Sequence, residues 1–425
     1  MYTGERKKVR SLRPVNVCRK IEKWERSDED GKAQKVRIYA AYRVWQLPMD
    51  VQGKKGERME RYQYKGHTPL EYGEQACHTL MRTFKAEDLP PRAHFHYHQG
   101  VFLSGMEKIW QICKKEEYRR YINDWVNSLV DEEGQIHGFD SDELDDVQPG
   151  ILLYRMYQET GSERYKKALD TLIEVVLNFP KNREGGFWHK VKNKEQMWLD
   201  GLYMAGPFCA LYGKWFHREE CFESCIFQAL LMEKKTKDEK TGLWYHAWDS
   251  VKERPWADEK TGRSPEFWGR SIGWVPVAVL DELECIPESH PGYGKLARLV
   301  RELLLSVMHY QDESGLWYQV VDKGGKEGNW LETSCTCLFA AAICKAVRMG
   351  ILDPSALGSA RRAFEGVADR LTWRGEDLVI GGICVGTGVG DYEHYCRRPT
   401  SENDLHGTGA FLLMCAEMER SIQNI

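Results

Sequence analysis

No stretch of this 425-residue chain approaches the roughly 20 consecutive apolar residues that a bilayer-spanning helix requires. The opening Met1-Tyr-Thr-Gly-Glu-Arg-Lys-Lys lacks the apolar core of a signal peptide, so a cytoplasmic protein is expected. An excess of one charge is missing too. Sixty Lys and Arg against 64 Asp and Glu leave a net charge of −4, which gives no global field to gather nucleic acid or an anionic membrane. Thirteen cysteines are present without the spacing of a disulfide framework, and their odd number leaves at least one unpaired. Cys221/Cys225 and Cys335/Cys337 form neither a C-x-x-C pair nor part of a paired histidine motif, so no metal site is expected. In a reducing compartment these thiols read as small buried hydrophobes.

With 42% hydrophobic and 29% charged residues, the chain can bury a large core. From about Leu70 onward apolar residues recur at helical spacing, as in Tyr118, Tyr121, Trp125 and Leu129, or Tyr165, Leu169, Leu172 and Val176. The pattern predicts a dozen helices, near 70–86, 98–113, 118–130, 146–158, 162–178, 199–213, 218–234, 268–285, 293–310, 332–349, 354–371 and 403–422. Twelve helices make six hairpins. A glycine-centred aromatic element precedes several of the even-numbered helices: Gly186-Phe-Trp188-His189, Gly242-Leu-Trp244-Tyr245-His246 and Gly315-Leu-Trp317-Tyr318. Such internal similarity marks a repeat architecture in which each unit buries its apolar face against the next. The expected fold is all-α, a six-hairpin (α/α)6 barrel over residues 69–425 with a single cleft at the end where alternate helices start. Residues 1–68 differ. Lys and Arg outnumber Asp and Glu there by about two to one, and only Val36–Trp45 looks strand-like or helical. This basic extension could be a solvated leader or could touch nucleic acid or a partner subunit.

The helix starts gather polar groups beside aromatic rings: Tyr97-His98-Gln99, Leu144-Asp145-Asp146, Trp188-His189, Trp198-Leu-Asp200, Tyr245-His246 and Trp268-Gly-Arg270. Sugars present apolar ring faces edged by hydroxyls, and this inventory suits them. Asp200 lies among Met197, Trp198 and Tyr203. Burial there would raise its pKa and make it a proton donor, although Asp200 could instead be a helix N-cap. Asp145 supplies a second carboxylate, and paired carboxylates are the usual equipment for cleaving glycosidic bonds. Arg270 could pair bidentately with a uronate, or with Glu266 four residues earlier. His189 and His246 could orient hydroxyls or a water, or be satisfied structural residues.

Gln196-Met-Trp-Leu-Asp200-Gly-Leu-Tyr-Met204, Leu144-Asp145-x-Val147, Tyr245-His246-x-Trp248-Asp249, Trp268-x-Arg270-x-x-Gly273-Trp274 and Asn403-Asp404-x-x-Gly407 together resemble the family 105 glycoside hydrolases, unsaturated rhamnogalacturonyl hydrolases related to family 88. The resemblance runs over roughly residues 70–423. It implies a six-hairpin barrel that removes a 4,5-unsaturated uronic acid from the non-reducing end of lyase-generated oligosaccharides, with no cofactor. By that resemblance Asp200 protonates C4 and then activates the water adding at C5, Asp145 stays ionised, and Tyr97, His189, Trp198, His246, Arg270 and Trp274 line the sugar pocket. One departure is His98, where an acid or amide is the pattern. The alternatives are an unsaturated glucuronyl hydrolase acting on glycosaminoglycan or algal oligosaccharides, another α/α-barrel enzyme acting on saturated sugars, and a non-catalytic carbohydrate-binding barrel.

Overall fold

The computed structural model describes the backbone of residues 15–26 and 33–44, and residues 62–422. The chain divides into two units, residues 1–60 and 61–425. In the first, strand β1 (Val15–Arg26) pairs antiparallel with β2 (Ala33–Val44), from Val15 opposite Val44 to Arg26 opposite Ala33. A strand therefore covers most of the segment that the sequence left between strand and helix. Residues 1–14, 27–32 and 45–61 of the basic extension, with the Met1–Lys8 opening and Trp45, lie outside the described residues.

The second unit is built from helices α1 (Pro69–Thr83), α2 (Tyr97–Cys113), α3 (Glu116–Leu129), α4 (Ile151–Thr160), α5 (Glu163–Asn178), α6 (Asp200–Phe216), α7 (Glu219–Thr236), α8 (Gly269–Leu283), α9 (Tyr293–His309), α10 (Thr333–Arg348), α11 (Leu357–Arg370), α12 (Tyr392–Cys396) and α13 (Leu405–Ile422). Two kinds of helix alternate. The odd-numbered ones up to α11 bury one stripe: α3 hides Tyr118, Tyr121, Ile122, Trp125, Val126 and Leu129 and leaves its other face polar. α8 and α10 are buried almost all round, and every residue from Thr333 to Ala346 is covered. A helix apolar on all sides must have neighbours on all sides. Accordingly α2, α4, α6, α8, α10 and α13 each pack on the next, α13 returns to α2, and the other long helices pack outside this ring. The protein is an (α/α)6 barrel. Small side chains let the inner helices approach, and Cys335, Cys337 and Cys344 are buried there as free thiols, as are Cys221 and Cys225 between α6 and α7.

The glycine elements have a common cause. Asp131, Asn182, Asp238 and Asp312 each use a side-chain oxygen to cap backbone N–H groups two to four residues on. Each turn closes on a glycine with positive φ: Gly134 (85°), Gly185 (88°), Gly242 (71°) and Gly315 (87°). The same turn therefore brings the chain from the end of one outer helix toward the next inner helix four times over. That repetition stacks the starts of the inner helices at one end of the ring.

The structure departs from the expected helices in two places. α4 begins at Ile151 rather than 146, because Pro149 has no N–H for a helix interior, and two 3-10 turns (Leu144–Asp146 and Gln148–Gly150) precede it. The short α12 has no periodic signature of its own; Asp391 caps it by accepting from the His394 N–H.

Ring closure depends on the α2–α13 contact. A Cβ on Gly409 of α13 would lie 2.5 Å from the Val101 backbone of α2. Gly409→Ala is expected to lower stability by about 1–3 kcal/mol, the scale of forced overpacking, and to shift the urea midpoint downward. An unchanged midpoint would contradict this closeness.

Candidate active site

Asp200 opens α6 directly after strand β3 (Gln196–Trp198), which pairs with β4 (Ala247–Asp249) so that Trp198 faces Ala247. The Leu199 N–H donates to the His246 carbonyl (2.9 Å), which ties the residue before Asp200 to His246 itself. Across this tie His246 Nε2 lies 3.0 Å from Asp200 Oδ2. Leu199 holds the N-cap position and Asp200 is the first helical residue, so the capping alternative is not the one that forms. The His246 ring is fully buried. It packs beside Trp268 at 4.7 Å, and its Nδ1 is 2.7 Å from the Tyr395 hydroxyl.

The electrostatics of Asp200 differ from the expectation of a raised pKa. Burial does push the carboxyl up, but His246, His189 and Arg270 pull it down harder and hold it below the usual carboxylate range. Its apolar sequence neighbours explain only the burial. The cationic and imidazole groups come from distant segments that the local sequence does not show.

Asp145 is buried in the 3-10 turn before α4. Its Oδ2 is 2.7 Å from Lys190 Nζ and its Oδ1 is 3.7 Å from His189 Nε2. Burial acts upward, and His189, Lys190 and His96 overcome it, so Asp145 is held as the anion. His189 stacks on Trp198 (ring centroids 4.4 Å apart, planes 15°), and burial pushes its imidazole down despite Asp145 and Asp200. Its Nδ1 has no partner among the described residues. A cavity of about 30 Å³ borders His189, Trp198, Gly201 and Glu282.

Arg270, only 2% exposed, lies over the Trp268 ring at 4.4 Å. Nη1 donates to the Cys384 carbonyl (2.6 Å) and Nη2 to the Val385 carbonyl (2.9 Å). The ion pair with Glu266 does not form, because Glu266 pairs with Lys323. No described carboxylate lies within ion-pair distance of Arg270. Tyr97, at the start of α2, feels Asp145, Arg270, Asp404 and Asp200 together, which places it in the same enclosure; burial keeps its hydroxyl protonated. Trp274 is the exception. One turn along α8 from Arg270 it stacks on Tyr203 of α6 (4.5 Å, 19°) in the core between two inner helices. Its assignment to the sugar pocket is corrected: four residues beyond Arg270 the same helix face has passed below the polar layer.

Sequence reasoning missed Lys190, Tyr395 and His406 as site neighbours. Lys190 adjoins His189, which it singled out, whereas Tyr395 sits on the unforeseen α12. His98, Asp404 and His406 also converge, with ligand-type atoms within 4.8 Å of one another. His406 Nδ1 is 2.7 Å from Asp404 without hydrogen-bond geometry, and Nε2 is 3.1 Å from the Cys384 carbonyl. Burial, with His406 beside it, lowers His98 to about 3, so that ring is neutral.

Two buried carboxylates held as anions, imidazoles and a buried guanidinium at one end of an (α/α)6 barrel are the equipment of a glycoside hydrolase. The chain belongs to Glycosyl Hydrolase Family 88, whose family model matches residues 72–422. It is 29% identical over 250 residues to the unsaturated rhamnogalacturonyl hydrolase YesR of Bacillus subtilis, covering 57% of this chain and 68% of YesR. Among solved structures it resembles a family 105 glycoside hydrolase of C. acetobutylicum (TM-score 0.78, 32% identity, 82% of this chain and 99% of that one). The unsaturated glucuronyl hydrolase of Bacillus sp. GL1, at 14% identity, shares the fold (TM-score 0.62, 82% and 97% covered).

Asp145 is held below its unfolded pKa, so its stabilising effect is present above the ordinary carboxylate value of about 4 and is lost as pH falls through the folded value. Asp145→Asn is therefore expected to cost about 2 kcal/mol at pH 7, and the gap from wild type is expected to close in acid. Urea unfolding at pH 7 and pH 3 measures this, and a gap that does not change with pH would refute it.

Proposed function

We propose that the protein removes a 4,5-unsaturated uronic acid from the non-reducing end of lyase-generated oligosaccharides, with unsaturated galacturonyl-rhamnose as substrate, by hydrating the C4=C5 bond. The observation that carries this reading is a buried Arg270 guanidinium without an acid partner in the same enclosure as the Asp200 carboxylate. A uronate carboxylate is the group that such a guanidinium lacks. The similarity to YesR supports the choice of neighbouring sugar. A cytoplasmic location belongs to the same reading: the described cysteines are free thiols, and no described helix is long and apolar enough to cross a membrane.

In this mechanism Asp200 gives a proton to C4, and the developing charge at C5 is taken up by water, from which Asp200 recovers a proton. The hemiketal formed at C5 opens and the neighbouring sugar leaves. Asp145, ionised beside Lys190, accepts from sugar hydroxyls. Tyr97, His189, Trp198 and His246 complete the walls. A vinyl ether is a weak base, so Asp200 must be protonated when it acts, yet in the free site it is held as the anion. Substrate resolves this conflict. Its carboxylate offsets the field of Arg270 and adds negative charge near Asp200, and both effects raise the Asp200 pKa. Binding therefore creates the acid.

Incubation with a rhamnogalacturonan lyase digest is expected to abolish the ultraviolet absorbance of the conjugated alkene. Asp200→Asn is expected to reduce turnover at least ~10²-fold, the scale of general acid/base catalysis. Turnover of saturated oligosaccharides alone would sink the reading.

Because Asp200 is ionised before binding and protonated after it, mixing with substrate near neutral pH should take up about one proton in the binding phase. Stopped-flow with a pH indicator reads this uptake, and Asp200→Asn should lack it. An uptake that survives in that variant would assign the proton elsewhere.

A further inference from the structure

We propose that Tyr395 is a positioning residue for Asp200: its hydroxyl fixes His246 as the neutral tautomer with hydrogen on Nε2, so that the Nε2–H is aimed at Asp200 Oδ2. The catalytic consequence rests on the proposed function, whereas the tautomer itself follows from hydrogen-bond directions alone.

The Tyr395 side chain is completely buried. The Gly390 N–H, which can only donate, reaches the Tyr395 hydroxyl oxygen at 3.2 Å, so the hydroxyl accepts there. The other partner of the hydroxyl among the described residues is His246 Nδ1 at 2.7 Å. If the oxygen also accepted from Nδ1, the buried hydroxyl hydrogen would have no acceptor among the described residues; donated to Nδ1 it is satisfied, which leaves that nitrogen a bare acceptor and places the ring hydrogen on Nε2. Nε2 is the nitrogen 3.0 Å from Asp200 Oδ2, where a donor is needed. An imidazolium would put a second hydrogen on Nδ1 and leave the buried hydroxyl hydrogen without a described acceptor, a costly arrangement.

The surroundings keep the relay in place. Trp268 stacks on Tyr395 (5.8 Å, 15°) and packs against His246, so one ring supports both ends of the bond. Burial raises the phenol well above its ordinary value, which keeps it a hydroxyl donor. The charged or titratable groups around the pair are Asp200, His189, Glu266, Cys384 and Arg270. Asp200 Oδ1 has no hydrogen-bond partner among the described residues, so fixing Oδ2 decides which oxygen is left to face C4. Tyr395 thus acts through His246: the geometry points to a carboxylate whose orientation is set 195 residues away in sequence.

The test uses the full chain with 15N-labelled histidine, the His246 signals being assigned by comparison with His246→Gln. In the wild type, His246 should show an unprotonated Nδ1 and a protonated Nε2, and in Tyr395→Phe, where nothing donates to Nδ1, that nitrogen should be protonated in part. On unsaturated galacturonyl-rhamnose, the same variant should lose about tenfold in kcat, the scale of one lost hydrogen bond, with KM within about twofold of wild type. A purely structural role would lower the thermal midpoint without this split and without moving the tautomer. Wild-type His246 found protonated on Nδ1 overturns the proposal even if Tyr395→Phe does not fold, and so does a variant with wild-type tautomer and kcat. If the protein turns over no unsaturated uronide, the proposed function fails, and the nitrogen signals still decide the role of Tyr395.

Discussion

The contact between His246 and Asp200 joins the two hairpins on which the site is built. It forms because β3 and β4 pair for only three residues, and the Leu199 N–H on the His246 carbonyl ends that ladder where α6 begins. A carboxylate at the first turn of a helix is already in a favourable field, and the imidazole adds a directed partner. The buried Trp268 and Tyr395 then exclude water from the far side of the imidazole. Shifting β3 against β4 by one residue would exchange the sides on which Met197 and Trp198 point, and the His189–Trp198 stack would be lost with them.

A second constraint is the placement of charge. Lys190 serves Asp145 and Glu143, and Lys323 serves Glu266, so these cations are spent on acids. Arg270 is held instead by two backbone carbonyls, and the segment that supplies them is fixed by Glu332, whose Oε1 accepts from the Cys384 N–H while its Oε2 caps α10 at Cys335. Cys384 also turns its carbonyl to His406. Buried carbonyls orient a guanidinium without neutralising it, so positive charge remains available at this end of the barrel. In the proposed function, this is what would let the site meet an anionic sugar with Asp200 still ionised.

Most of the barrel was legible because the outer helices carry an unambiguous 3.6-residue apolar stripe and the glycine turns repeat. The segments at 118–130 and 162–178 show this, close to the observed α3 and α5. Legibility failed where the local pattern is interrupted: Pro149 delays α4, and α12 is too short for periodicity to register. Among the site residues, Asp145, Asp200, His189, His246, Trp198, Tyr97 and Arg270 stand in polar-aromatic clusters at helix starts, and the structure brings them together. Trp274 shares that signature and lies in the core, because composition does not reveal how deep a helical turn sits.

The sequence by itself determined most of the helices, the repeated glycine turns between them, and hence a closed ring with its polar helix starts at one end. Those features depend on residues three or four apart, within reach of local pattern. The protonation of Asp200, the partner of Arg270 and the tautomer of His246 depend on groups up to about 200 residues away. Tertiary structure alone decided them, because the field at a buried charge is the sum over whatever the fold brings near it.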